Sequence, residues 1–366
     1  MLVDALVRKK WSSGFIRDSV GPVRGAYQTF ALDPAVRKGA ASGGTVTAML
    51  TALLEDGAID GAVVCAAPVL AGKVRARFSI AQSREEILSS QGSHYIKTHF
   101  LKEVPQLIRS FGNRVAVVGL PCDLSALTRL MRVDTALQNC VAFRIGLICG
   151  HTSTEELTDE VTGRLEKKAG ARLKKFRFRK GLWRGFMEAE FEDGRVEKRR
   201  TTDFDDYQNL YFFCDKKCRA CVDHYAFDCD ISAGDFWLYR LKNQPVKYTA
   251  ILTRTEAGES ALKRYRDRGI IHAQEVSLEM VVDGQSRTAP YHWNVSARHK
   301  AGKSLGIHIP DRLPQKVKWH HHLNGWLSLF NDSWSRHPKW KHLIFKIPKP
   351  VLKAYLWFKK GLETLP

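Results

Sequence analysis

The chain has 366 residues, enough for one large domain or two, and 44% apolar with 26% charged residues excludes wholesale disorder. Its net charge of +20 is unevenly spread: from residue 300 onward, 13 Lys or Arg stand against 3 Asp or Glu. No uncharged run reaches the roughly 18 residues of a membrane span, and the opening Met1-Leu-Val-Asp lacks a signal-peptide pattern, so a cytoplasmic protein is expected.

Residues 1–30 read as a basic arm, followed by an ordered body over 31–290 that divides near 115/116. Ser42-Gly43-Gly44-Thr45 opens a helix marked by apolar spacing over 45–54. Glycines there let an anion approach free amides at a helix N-terminus, with Arg37 and Lys38 just upstream; a plain turn is the competing reading. Residues 59–65 form a buried strand, and Gln91-Gly92-Ser93-His94-Tyr95 is a polar loop suited to touching a ligand. A strand over 114–119 leads through Pro121 to Cys122 and a helix over 123–131. A second strand, 141–149, ends on Cys149 and precedes a helix over 155–168. This alternation predicts an α/β fold, a mixed sheet with flanking helices and functional loops at its strand ends. Residues 186–191 and 195–198, joined by Glu192-Asp193-Gly194, predict a small β-hairpin insertion.

Cys214, Cys218, Cys221 and Cys229 place four of the eight cysteines within sixteen residues, in an irregular loop. With no sign of secretion, that density points to iron–sulfur or zinc rather than disulfides. Cys218-x-x-Cys221 can meet one cluster face, and the strand-end Cys122 and Cys149 would complete the four thiolates of a 4Fe–4S cluster. A local zinc knot of Cys214, Cys218, Cys221 and Cys229 is the alternative. Cys65 and Cys140 read as packing residues. A further strand and helix, over 248–254 and 257–268, follow in the body.

Residues 291–366 form a basic, Trp-rich extension with a short helix over 350–362. Its Val351, Leu352, Tyr355, Trp357 and Phe358, with Lys353, Lys359 and Lys360, suit an anionic membrane surface, the protein's own body or a partner. Peripheral contact at the inner face of the membrane is thus one expectation. Nucleic acid ranks below it, because no binding motif accompanies the charge.

Taken in order, these motifs resemble the beta-subunit family of coenzyme F(420) hydrogenases and dehydrogenases, which includes relatives of 7-hydroxymethyl chlorophyll a reductase. The resemblance rests on Arg37-Lys38-x-x-x-Ser42-Gly43-Gly44-x-x-Thr47 with Ile59-Asp60-Gly61, and on Gly92-Ser93-His94-Tyr95, Gly119-Leu120-Pro121-Cys122 and Gly146-Leu147-Ile148-Cys149. It continues through Phe178-Arg179-Lys180-Gly181-Leu182-Trp183, and Cys218-x-x-Cys221-x-Asp223 running into Asp230-Ile231-Ser232-x-Gly234-Asp235-Phe236-Trp237, covering roughly residues 25–275.

The resemblance implies an oxidoreductase with FAD and one 4Fe–4S cluster. Electrons would pass between ferredoxin or a partner subunit and a two-electron substrate, a deazaflavin coenzyme or another small molecule. It implies Cys122, Cys149, Cys218 and Cys221 as cluster ligands. It also implies Ser42, Gly43, Gly44, Thr45, Thr47, Ser93, His94 and Tyr95 at the flavin, with Asp230 and Asp235 near its redox ring or supporting the cluster loop. Three departures stand out. Residues 1–64 contain no cysteine, so the electron donor is expected on another chain; His94 replaces the family's Lys; and Cys214 and Cys229 are additional. The alternative function is a zinc-stabilised, membrane-docked binding or scaffold protein without redox activity.

Overall fold

The computed structural model describes residues 11–183 and 185–365. Strands β1 (Gly25–Ala31), β2 (Gly61–Ala66), the two-residue β3 (Val69–Leu70) and β4 (Lys73–Val74), and β5 (Arg77–Ala81) occupy the first part of the chain. They are followed by β6 (Val115–Gly119), β7 (Val141–Leu147), β8 (Leu173–Lys180), β9 (Phe186–Phe191) and β10 (Val196–Arg200). The last three are β11 (Ile231–Asp235), β12 (Thr249–Thr253) and β13 (Ile271–Glu275).

The main sheet has eight strands in the order β13-β1-β12-β11-β7-β6-β2-β5. Its centre, β11, β7, β6 and β2, is parallel, and the remaining pairings are antiparallel. Central strands such as Val-Ala-Val-Val-Gly in β6 are apolar on both sides, as parallel strands covered by helices must be. Ala62, Val64 and Ala116 face one core with helices Thr45–Glu55 and Glu256–Asp267. Val63, Val115 and Val117 face the other, against helices Phe100–Phe111 and Pro121–Met131. The sheet is therefore mixed and covered on both faces, in agreement with the expected class.

The expected hairpin is present, with Val196 paired to Glu190, and β8 extends it to a separate three-stranded sheet, β10-β9-β8. Two boundaries differ from those read in the sequence. Residues 25–30, assigned to a basic arm, lie within β1, which hydrogen-bonds to both β12 and β13. The division at 115/116 falls inside β6.

The C-terminal extension is built into the body. Leu352 and Leu356 of helix Lys349–Thr364 pack into a further core, beside the three-stranded sheet, with Phe176, Phe178, Phe191 and Phe213. Lys359 is buried, pairing with Glu363 at 3.0 Å and lying over the Tyr211 ring. Val351, Trp357 and Phe358 stay exposed on the outer side. Helices Val295–Ser304 and Trp319–Arg336 cross at Gly325, where an added Cβ would lie 3.3 Å from the Arg298 backbone nitrogen. Among the described residues no helix is long and apolar enough to cross a membrane.

Candidate metal centre and adjoining cleft

The parallel strands all end at one edge of the sheet, so loops after different strands meet there. Cys122 sits in the first turn of helix Pro121–Met131, directly after β6, and Cys149 follows β7. Cys218 lies in a short 3-10 turn, Lys216–Ala220, and Cys221 follows it. Backbone bonds stitch this turn to the loop after β7: Thr154 N donates to Phe213 O at 2.7 Å and Asp215 N to Thr152 O at 2.8 Å. Thr152 N donates to Cys218 Sγ at 3.4 Å. On the other side Cys149 N donates to His224 O at 3.0 Å, and the His224 ring bonds Cys149 O at 2.8 Å.

Electrostatics report that the four thiols are neighbours. Burial pushes Cys122 up to about 12, and Asp123, Cys218 and Cys221 add to the shift. Cys149 is held well above the ordinary thiol value by burial, then by Cys218, Cys122 and Cys221. Cys221 is pushed up to about 11 by burial and by Cys218. Thiols that oppose one another's ionisation in this way become thiolates together only around a cation, and this donor set suits an iron–sulfur cluster. Burial works against the Lys217 ammonium, yet Asp123, Cys122 and Cys218 hold its pKa above the ordinary value.

Cys214 stands behind this group. Its thiol donates to Asp215 O at 3.6 Å, and its interaction with the Cys218 thiol keeps Cys214 protonated and holds Cys218 low. Cys229 is elsewhere: its thiol donates to Ala226 O at 3.0 Å and packs in the core with Leu124 and Val117. The local zinc knot is therefore not assembled, and among the described residues no three His, Cys, Asp or Glu side chains gather around a single-ion site.

A cleft of about 790 Å³ opens beside Cys149, with Ile148, Gly150 and His151 in one wall and Tyr95, Arg179 and Trp237 among the other residues lining it. That volume lies in the range of ligand and cofactor sites. Arg179 Nη1 donates to Asp235 Oδ2 at 2.6 Å, its guanidinium lies 4.4 Å from the Trp237 ring centroid, and Trp183 meets Trp237 edge-on at 5.3 Å. A narrower recess shares these four residues and adds Lys247 and Tyr248. From the cleft, stacked rings lead inward, His151 on Tyr211 at 4.2 Å and Tyr211 on Tyr291 at 4.3 Å. Tyr211 packs with Cys214 and Cys218.

Family models for the coenzyme F420 hydrogenase/dehydrogenase beta subunit match this chain, the N-terminal one over residues 26–104 and the C-terminal one over residues 112–279. The chain belongs to this family. It is 24% identical over 277 residues to a coenzyme F420 hydrogenase subunit beta of Methanosarcina barkeri, covering 74% of this chain and 84% of that protein. It is 28% identical over 243 residues to a coenzyme F420-dependent sulfite reductase of Methanocaldococcus jannaschii, covering 59% of this chain and 33% of that protein. Among solved structures, a chain of the F420-reducing [NiFe] hydrogenase complex from Methanosarcina barkeri matches with a TM-score of 0.58 at 18% identity, over 80% of this chain and 98% of that one, a likeness of fold.

In this beta-subunit fold, Tyr95 and Asp235 line the cleft. Ser93 bonds Tyr95 from behind, and His94, turned toward Ser90 O at 3.3 Å, is held below the ordinary histidine value by burial. The Ser42–Thr47 stretch lies outside the residues that line the cleft, its polar groups engaged within the fold. Ser42 Oγ donates to Tyr248 O at 2.7 Å, Gly43 N to Thr249 Oγ1 at 2.9 Å, and Gln91 Nε2 to Thr47 Oγ1 at 3.0 Å. Thr45 Oγ1 bonds Thr29 Oγ1 at 2.8 Å. A Cβ at Gly43 would come 2.7 Å from Thr29 O, and Gly44 takes φ +82 to start the helix. Asp230 accepts from Arg144 N at 2.7 Å and Thr255 Oγ1 at 2.8 Å at the opposite end of β11, about 16 Å of strand from Asp235.

Neither Arg179, which lines the cleft, nor Arg298, which donates to Cys221 O, was singled out in the sequence. Arg179 lies inside the Phe178 to Trp183 motif and could have been found there. Arg298 sits in Val-Ser-Ala-Arg-His-Lys, which reads as any exposed basic helix.

Proposed function

We propose that this beta-subunit family member is a flavin- and 4Fe–4S-dependent oxidoreductase, passing electrons between ferredoxin or a partner subunit and a two-electron small-molecule substrate such as a deazaflavin. The observation that carries the proposal is the meeting of Cys122, Cys149, Cys218 and Cys221, from three distant segments, beside a cofactor-sized cleft. A 4Fe–4S cluster passes electrons singly and a flavin exchanges them singly or as a hydride, so the two together convert one kind of transfer into the other. The four cysteines would hold the cluster, while Thr152 N, bonded to the Cys218 sulfur, and Lys217, beside Cys122 and Asp123, stabilise the thiolate form.

For FAD, support comes from the volume of the cleft and its lining. Trp237, Trp183 and Tyr95 offer aromatic faces and edges, and the Arg179–Asp235 pair offers a fixed donor and acceptor. Ser93 orients Tyr95, and the Ser42–Thr47 loop supports that wall by bonding Tyr248 and Thr249. A partner subunit is supported by relatives named as subunits of hydrogenases and formate dehydrogenase. Eight cysteines without a disulfide suit a reducing, cytoplasmic compartment. Exposed Val351, Trp357 and Phe358 among lysines suit peripheral contact with an anionic membrane.

Protein purified without oxygen should be brown, carry about four iron and four sulfide per chain, and release FAD on denaturation. Cys122→Ala and Cys149→Ala should lose iron as fully as Cys218→Ala, whereas Cys229→Ala should keep it. Colourless protein containing zinc alone overturns the reading. Iron without flavin reduces it to a one-electron relay.

A further inference from the structure

Arg298 belongs to helix Val295–Ser304, beyond the residues matched by the family models, and is 1% exposed. Its Nε donates to Arg219 O and its Nη2 to Cys221 O, each at 2.7 Å. Its Nη1 donates to Tyr291 O, and the guanidinium lies 4.0 Å from the Tyr291 ring centroid. All of these partners are neutral. The one carboxylate in this network, Asp332, is shared between Arg219 and Arg336.

A guanidinium taken out of water without an opposing charge is costly, and such groups persist where a counter-charge is supplied. The bonds from Arg298 place that missing charge on the loop it grips. Two of its carbonyl acceptors belong to Arg219 and Cys221, within and directly after the turn that bears Cys218. Burial pushes the Cys221 thiol up, and the Arg298 charge acts in the opposite direction. The same extension holds the rest of the segment: Asn331 Nδ2 donates to Leu210 O at 2.7 Å, Phe213 N to Ser335 Oγ at 2.7 Å, and Arg336 to Cys214 O.

We propose that Arg298 is the buried counter-cation of the iron–sulfur cluster held by Cys122, Cys149, Cys218 and Cys221, positioning the loop that carries two of the ligands and raising the cluster's reduction potential. This rests on the cluster reading above. Four thiolates around a 4Fe–4S core carry net negative charge, and reduction by one electron adds one more unit. A fixed cation nearby therefore favours the reduced state over the oxidised one. Charge and hydrogen bonding behind the ligands are the protein's means of setting such potentials.

The test uses the full chain, purified without oxygen, titrated with a chemical reductant and followed by the loss of cluster absorbance and by paramagnetic resonance of the reduced form. Arg298→Gln should lower the midpoint potential by about 59 mV or more, a tenfold change in a one-electron equilibrium. Arg298→Lys, which keeps the charge and gives up the planar fork, should stay within a third of that shift. Asn331→Ala loosens the same segment without changing charge; it should speed iron loss to a chelator while leaving the potential of the retained clusters unchanged. Equal potentials in wild type and Arg298→Gln overturn the proposal.

If Arg298→Gln holds no iron, iron content decides. Retention by Arg298→Lys supports a role for the charge, and equal loss in both variants overturns it. Wild-type protein without iron sinks the cluster reading itself, which separates that failure from failure of the Arg298 role.

Discussion

Lys247 sits where the recess meets the glycine loop, donating to Gly181 O at 2.9 Å and to Ala40 O. Burial, and after it the Arg179 charge, brings its pKa down to about 8. An unfolded lysine titrates near 10.4. Below pH 8 the ammonium is charged in both states, and the folded state carries the full cost of burying it. Between pH 8 and about 10.4 the folded protein has shed that proton while the unfolded chain keeps it, so this residue's contribution to stability rises with pH. Urea midpoints of wild type should thus rise relative to Lys247→Met between pH 8 and 10.4, and a constant difference would contradict the depressed value.

At the level of single residues, legibility depended on chemistry. Cys122 and Cys149 could each be read as structural, and it was their recurrence at equivalent strand ends that singled them out. The acids were harder. Asp230 and Asp235 look equivalent in a short motif, but the four residues between them run along β11, and only Asp235 reaches the cleft.

Among the elements, β7 matters most for the site, since it carries the chain to Cys149 while crowded on one side. A Cβ at Gly146 would lie 2.3 Å from Ala226 Cβ and 3.0 Å from Cys229 Sγ. Ala226 already holds a φ of +55, so it has little freedom to retreat. Gly146→Ala should cost about 1–3 kcal/mol in chemical denaturation and lower the iron content. Gly163→Ala supplies the opposite sign. It lies within helix Glu155–Ala169 with open space around it, and should gain about 0.5–1 kcal/mol.

Which elements could be read follows from what they bury. Strands β2, β6 and β7 are dense in apolar residues and were found nearly to the residue, as was the hairpin of β9 and β10. Helix Trp319–Arg336 buries His320, Ser328, Asn331, Asp332 and Ser335 beside Leu329, so its inward face is mostly polar and its apolar period is weak. β1 escaped notice because Gly-Ala-Tyr-Gln-Thr-Phe-Ala mixes polar and apolar residues, although Gln28 and Thr29 are buried.

On the scale of the molecule, the excess of positive charge should govern encounter more than stability. Charges on an open surface act over a Debye length of about 8 Å at physiological salt, and they speed docking of opposite charge. Binding of an acidic ferredoxin and of vesicles containing anionic lipid should both weaken as salt is raised from 0.1 to 0.5 M. Trp357→Ala combined with Phe358→Ala should abolish vesicle binding by removing exposed rings, while ferredoxin binding persists. Insensitivity of both to salt would dismiss steering by these charges.

The grip of residues 298–336 on the cysteine loop also sets an order of events during synthesis. Cys122, Cys149, Cys218 and Cys221 all leave the ribosome before Arg298, Asp332 and Arg336 exist, and Arg336 follows Cys221 by roughly 115 residues. At 5–20 residues per second that interval lasts roughly 6–23 s. During it the thiols are made but their enclosure is not, which leaves a period in which iron and sulfide can reach them before the chain closes the door behind.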